Sequence, residues 1–323
     1  MPLDDRYPWI VVFIVAPRLN DDGIEQNVPI GTGFVASVPS ATAYTKFLYV
    51  ITAQHVLFGE RSQLAVRFTT KQGGSVDLPA PDWIDHPTED VSAAPITGSA
   101  LLDLRLAAVA ESQFLDVHEG DQPLLGDTVY FIGLLAFVQT MADANVPMVR
   151  SGTLGAKYQD GIPIQLPDRT RRLITAHLID CRSYRGFSGS PCFIQFLPEN
   201  AEGWSLVRST RLLGIVSAHF DMSDDATLEG DLLISGTGRI RVPIHSGIGV
   251  VVPVEHIREV LYQEELVEQR RRLEDQLAET SPGLVATADS TGDLPSEFSR
   301  FSGLTKALLK VPKRELDEKR DSG

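Results

Sequence analysis

The chain has 323 residues, 43% of them hydrophobic, a formal charge of −14 and a pI near 4.9. That is enough apolar material for two domains or one large β domain. Its acidity repels nucleic acid and anionic lipid, so neither is expected as a partner; the acidity serves solubility and suits basic or neutral polypeptides.

The first residues, Met1 to Arg6, do not form a basic leader. The apolar run that follows, WIVVFIVA from Trp9, has strand length and is far too short to cross a bilayer. Two cysteines, Cys181 and Cys192, are few for a secreted chain of this size, although they could pair. A cytoplasmic location is the expectation.

Short β-rich runs separated by Gly, Pro, Asp and Asn continue to Val254. After WIVVFIVA come GTGFVASV from Gly31, FLYVITA from Phe47 and LAVRFTT from Leu64. TVYFIGLL follows from Thr128, RRLITAHLID from Arg171, PCFIQFL from Pro191, LLGIVSAHF from Leu212 and GIGVVVPV from Gly247. Strands at this spacing, with little helical periodicity between them, argue for barrels or a sandwich.

The pattern then changes. Pro253 can open a helix, and Glu255 to Glu279 reads as one, with Ile257, Val260, Leu261, Val267, Leu273 and Leu277 at roughly helical spacing. Residues 281–296 read as a polar linker, and FSRFSGLTKALLKV from Phe298 as a short amphipathic stretch stopped by Pro312. No histidine or cysteine spacing suggests a metal site, and no cofactor motif is present.

Three residues carry the chemistry. His55 stands where the apolar strand YVITAQHVL ends; read alone, such a histidine is most often a hydrogen-bonded core residue. Asp90 opens the apolar run Val91 to Ile96, and a carboxylate entering a core must have a partner. Read alone, it would be a cap or turn residue. His86, four residues earlier, reads as a surface or packing residue, and Asp103 in LLDLRLAAV is a weaker rival acid. Ser188 lies in GFSGSP, where Gly186 and Gly189 allow backbone angles that other residues avoid. That permits the amides of Gly186 and Ser188 to converge as an oxyanion hole. A serine hydroxyl needs such a base, and the base needs its tautomer fixed by a third group.

Taken together in the order His, Asp, Ser within an all-β pattern, the sequence resembles the trypsin-like (chymotrypsin-fold) serine peptidases. TAQHV is similar to the family's T-A-x-H motif, DVSAAPI to its aspartate strand and GFSGSP to its G-x-S-G-[GS]-P nucleophile loop. GTGFVAS resembles the strand before the histidine, LLGIVSAHF the strand beside the substrate, and GIGVVVPVEHIREVL the final strand and helix. The resemblance covers roughly residues 9–262. It implies two six-stranded antiparallel Greek-key β-barrels, over residues 1–121 and 122–254, followed by a helix at 255–280 and a flexible helical tail at 281–323. It also implies His55 as general base, Asp90 as its orienter, Ser188 as nucleophile, and Ser217, Ala218 and His219 as the strand that pairs with substrate. The α/β-hydrolase reading fails, because Ser190 replaces the second glycine of G-x-S-x-G and the chain order is wrong.

Several departures matter. Phe187 stands where digestive members carry the aspartate that pairs with a newly cut N-terminus. The chain is therefore more similar to bacterial, HtrA-like or glutamyl-type members, without a recognisable PDZ module. Gln54 stands where small residues are common. Arg182, if it reached the pocket floor, would favour acidic side chains, and His219 in place of glycine would narrow the pocket; an exposed arginine and an edge-strand histidine are the simpler readings.

The expected function is a regulated intracellular serine endopeptidase acting on protein or peptide substrates, with no metal or cofactor. The alternative is a silent or latent peptidase fold that binds peptides; an esterase-like or transferase use of the same acyl chemistry ranks last. Residues 298–311 are a candidate for docking on a partner or on the chain itself.

Overall fold

A computed structural model describes residues 7–280 apart from 21, 42–44, 60, 81, 98, 120, 135–146, 167–169, 182–185, 197–208 and 228–238. The linker and the stretch 298–311 lie outside the described residues.

Eight strands come first: β1 (Val11–Leu19), β2 (Glu25–Pro39), β3 (Lys46–Thr52), β4 (Ala65–Thr69), β5 (Ser75–Pro79), β6 (Ile84–Asp85), β7 (Ser92–Ile96) and β8 (Val109–Ala110). Six more follow: β9 (Thr128–Leu134), β10 (Pro147–Gln165), β11 (Arg171–Cys181), β12 (Pro191–Phe196), β13 (Ser209–Thr227) and β14 (Arg239–Pro253). The chain then forms α1 (Val254–Leu261) and α2 (Glu264–Thr280). No described helix is long and apolar enough to cross a membrane.

The first group makes one sheet in the order β5-β4-β1-β2-β3-β7-β6, with β8 added parallel to β2. The second closes into an antiparallel barrel in the order β10-β11-β14-β13-β12-β9. The architecture is all-β with a C-terminal helical segment, as the sequence predicts. Strand number differs in the first unit: it is an eight-stranded sheet, and among the described residues no pairing closes it into a barrel of six.

The helical segment also differs. The expected single helix over 255–280 is broken at Tyr262 and Gln263. The break serves two docking sites. α1 buries Val254, Ile257, Val260 and Leu261 and packs on β13 and β7. α2 turns to the first sheet, where Arg270 Nη1 donates to Tyr49 Oη at 2.9 Å and Glu274 accepts the amide of Ala41 at 2.9 Å.

The core explains why WIVVFIVA is apolar at every position. Val12 and Ile14 of β1, Val35 of β2 and Val50 of β3 point into the first sheet's own core. Their neighbours Val11, Phe13, Val15, Phe34, Ala36, Tyr49 and Ile51 point the other way, into a core shared with Phe131, Phe193, Leu212 and Val251 of the second barrel. Strands buried on both faces read as continuous apolar runs rather than as alternation. This shared core clamps the two units together at about 25 cal/mol per Å² of apolar surface buried.

Candidate active site

Pairing register brings His55 and Asp90 to the same end of two adjacent strands. β3 and β7 are antiparallel, with Thr52 opposite Ser92. The chain leaves β3 into one 3₁₀ turn, Gln54–Val56, and enters β7 just after Asp90. Asp90 is fully buried. Its Oδ1 accepts the backbone N–H of His55 at 2.9 Å, and its Oδ2 meets His55 Nδ1 at 2.7 Å. Ser217 Oγ donates to the same Oδ2 at 2.5 Å. Three donors thus satisfy a carboxylate that burial would otherwise penalise heavily. A proton on Nδ1 shared with Asp90 leaves Nε2 as the free acceptor of the ring. Asp103 ends a 3₁₀ turn, is exposed, and accepts the amide of Lys71 through its carbonyl; it is Asp90 that meets His55.

Ser188 comes from the second barrel, on the turn that leads into β12. Gly186 and Gly189 have φ of 100° and 88°, in the left-handed region open to glycine. A Cβ on Gly189 would lie 1.8 Å from the carbonyl oxygen of Thr32, so the turn and β2 are in backbone contact. Thr32 straps that contact: its N–H donates to Ser188 O at 3.0 Å and its Oγ1 to Gly186 O at 2.7 Å. Thr52 Oγ1 donates to Thr32 O at 2.8 Å. Phe187 is fully buried and packs edge-on against Phe131, with centroids 5.5 Å apart. A buried apolar side chain therefore anchors the turn.

Ser188 Oγ donates to the carbonyl of Ser217 at 3.1 Å. Ser217 therefore joins the two halves: its carbonyl receives the serine hydroxyl, and its own hydroxyl holds Asp90. Through Ser217, the serine of a six-stranded antiparallel barrel is linked to a histidine–aspartate pair on a second β unit. The fold is chymotrypsin-like.

Solved structures with low identity are similar to this chain. The MamO protease domain from Magnetospirillum magneticum is 18% identical, covering 81% of this chain and 100% of that one, with a TM-score of 0.44. The active form of the Rv3671c protease from M. tuberculosis is 17% identical over 79% of this chain and 80% of that one, with a TM-score of 0.43. Deg5 is 13% identical over 81% and 99%, with a TM-score of 0.42. No protein-family model matches the sequence, and no curated protein does.

The remaining predicted site residues divide. β12 pairs with β13 only as far as Ile215, and Ala218 and His219 pair with Val250 and Gly249 of β14. Arg182 lies outside the described residues. Cys181 and Cys192 are buried free thiols. Burial pushes Cys181 up to about 11 and Cys192 upward too.

Sequence reasoning missed Thr32 and the hydroxyl role of Ser217. Thr32 sits inside the quoted GTGFVAS, but nothing in a strand pattern distinguishes a strapping threonine from a surface one. His86, His256 and Glu259 bring potential ligand atoms within 4.8 Å of one another. They fit a metal poorly. His86 Nδ1 accepts the amides of Thr88 and Glu89 at 3.2 and 2.9 Å, so its proton lies on Nε2 and is donated to Glu259 at 2.7 Å. A metal-binding histidine has the opposite arrangement, with the distal N–H given to an acceptor. The cluster instead ties α1 to the stretch before Asp90.

Proposed function

We propose that this chain is a serine endopeptidase. The supporting observation is the fully buried Asp90 carboxylate, held by His55 and by Ser217, whose carbonyl in turn receives the hydroxyl of Ser188 from the other β unit. Asp90 keeps the His55 proton on Nδ1, so Nε2 can take the proton of Ser188 Oγ as that oxygen attacks a peptide carbonyl. The amides of Gly186 and Ser188 receive the oxyanion. His55 then gives its proton to the leaving amine, and water, activated by the same nitrogen, releases the acyl group from Ser188. Every proton moves between groups of this chain, the substrate and water.

Extended peptide fits along β13 by strand addition at Ser217, Ala218 and His219, where the described pairing with β12 has ended. The buried free thiols suit a reducing compartment, so the cytoplasm is the proposed setting, with activity under restraint. A latent, peptide-holding form is the second reading. It is favoured by the Ser188 hydroxyl donating to Ser217 O, a bond that must break before attack.

Exposure to a fluorophosphonate, followed by intact mass, tests the choice. One adduct on the wild type and none on Ser188→Ala supports the enzyme. Failure of a folded wild type to react supports the latent form. Ser188→Ala should also lower any peptide cleavage by ~10⁴ to 10⁶ with folding unchanged.

A further inference from the structure

The residue immediately before His55 and the residue immediately before Asp90 are both tied to one strand of the other β unit. Gln54 precedes His55, and its Oε1 accepts a hydrogen bond from Nη1 of Arg172 on β11. Glu89 precedes Asp90; its carboxylate is buried and accepts the backbone N–H of Thr175, also on β11, at 2.9 Å. The same Arg172 Nη1 lies 3.5 Å from the carbonyl oxygen of Glu89. One guanidinium thus spans the two short segments that carry the histidine and the aspartate. Gln54 also lies beside the Asp85 carboxylate, which Arg61 and Ser92 engage.

Resting on the peptidase reading, we infer that Arg172 is a positioning residue: through Gln54 and Glu89 it sets the spacing of His55 and Asp90 from the second barrel. The argument is geometric. His55 sits on a single 3₁₀ turn and Asp90 on an irregular stretch, so neither is fixed by regular pairing of its own. Ser188 belongs to the same barrel as β11. A link from β11 to both segments therefore references base and nucleophile to one frame. It also accounts for Gln54, since a small residue there could not reach β11.

The test measures fluorophosphonate labelling of the full chain, resolved into a saturating rate and a half-saturating concentration. The proton shared by His55 Nδ1 and Asp90 is followed by NMR in the same samples. Arg172→Ala and Gln54→Ala should each lower the saturating rate about 10- to 100-fold, the scale of a small misplacement, and leave half-saturation unchanged. Both should broaden or shift the shared-proton resonance. The double variant should be no worse than either single one, and Arg172→Lys should recover part of the rate. Wild-type labelling and resonance in Arg172→Ala would overturn the inference. So would a change confined to half-saturation, which would make Arg172 a substrate contact, or additive losses in the double variant. If Arg172→Ala does not fold, Gln54→Ala, on a half-buried turn, carries the same expectation and the same refutation. A wild type that never labels refutes the peptidase reading instead, and the resonance then decides the positioning role alone.

Discussion

The two halves of the candidate site are held in different ways. The His55–Asp90 side is electrostatic: a fully buried carboxylate takes three hydrogen bonds, and the segments on either side are tied across the molecule. The Ser188 side adds close packing to hydrogen bonds made by its backbone carbonyls. Two left-handed glycines, one backbone-to-backbone approach at Thr32 and one buried phenylalanine shape its turn. On the proposed reading, a base must keep one tautomer and one direction, which directional bonds provide. A nucleophile must be free to move its oxygen from a resting acceptor to the attacking position, so its backbone is fixed and its hydroxyl is left able to rotate.

That contrast can be broken from either side. Removing charge from the electrostatic half should have the largest effect. Asp90→Asn is expected to lower turnover by ~10⁴ through loss of the Nδ1 tautomer, while Asp103→Asn stays near wild type. The reverse pattern in a labelling assay would make Asp103 the orienting acid. On the Ser188 half, Phe187→Ala should cost about 3 to 5 kcal/mol of stability by emptying the site beside Phe131. Urea unfolding reads this directly, and a loss below about 1 kcal/mol would show that the turn does not need its anchor.

His177 sharpens the comparison, because it is a buried imidazole without such partners. Among the described residues its Nδ1 accepts only the amide of Tyr158, at 3.3 Å, and its Nε2 has no hydrogen-bond partner. Burial, with Lys157 and His256 nearby, lowers it to about 4. The unfolded chain therefore binds the proton more readily, and stability should fall as pH drops from about 6.5 toward 4. The full loss is about 3 kcal/mol, and His177→Gln should flatten that limb of the profile. A profile unchanged by the substitution would assign the acid sensitivity elsewhere. The smallest effect is expected from Ser217→Ala, which removes one of the three donors to Asp90. A loss of about 1.5 to 3 kcal/mol in transition-state stabilisation corresponds to roughly 10- to 100-fold in labelling rate.

Most strands were legible because their apolar content is decisive. The first five residues of β1 are buried on both faces and read as one apolar run, and β12 is buried throughout, with Gln195 its one polar side chain. β10 was not, although it is a long barrel strand at Pro147–Gln165. Its sequence mixes Gly, Pro, Lys and Asp, and its pairing with β11 shifts register three times, so no simple alternation survives. The helix break at Tyr262 was hidden for a different reason. The apolar spacing on both sides is helical, and only the positions of two separate docking surfaces require the turn between them.

In the candidate site, His55, Asp90 and Ser188 were legible because each interrupts a local pattern. A histidine ends an apolar strand, an acid opens one, and a serine lies between glycines. By itself the sequence determined the residue types, their order and the β class, since these follow from periodicity and from chemistry carried by single side chains. Only the tertiary structure decided that Ser217 turns its hydroxyl to Asp90, that Thr32 straps the Ser188 turn, and that Arg172 reaches Gln54 across the two units. Those are contacts between residues more than one hundred positions apart, and a hydrogen bond depends on distance and direction in space, which spacing along the chain does not encode.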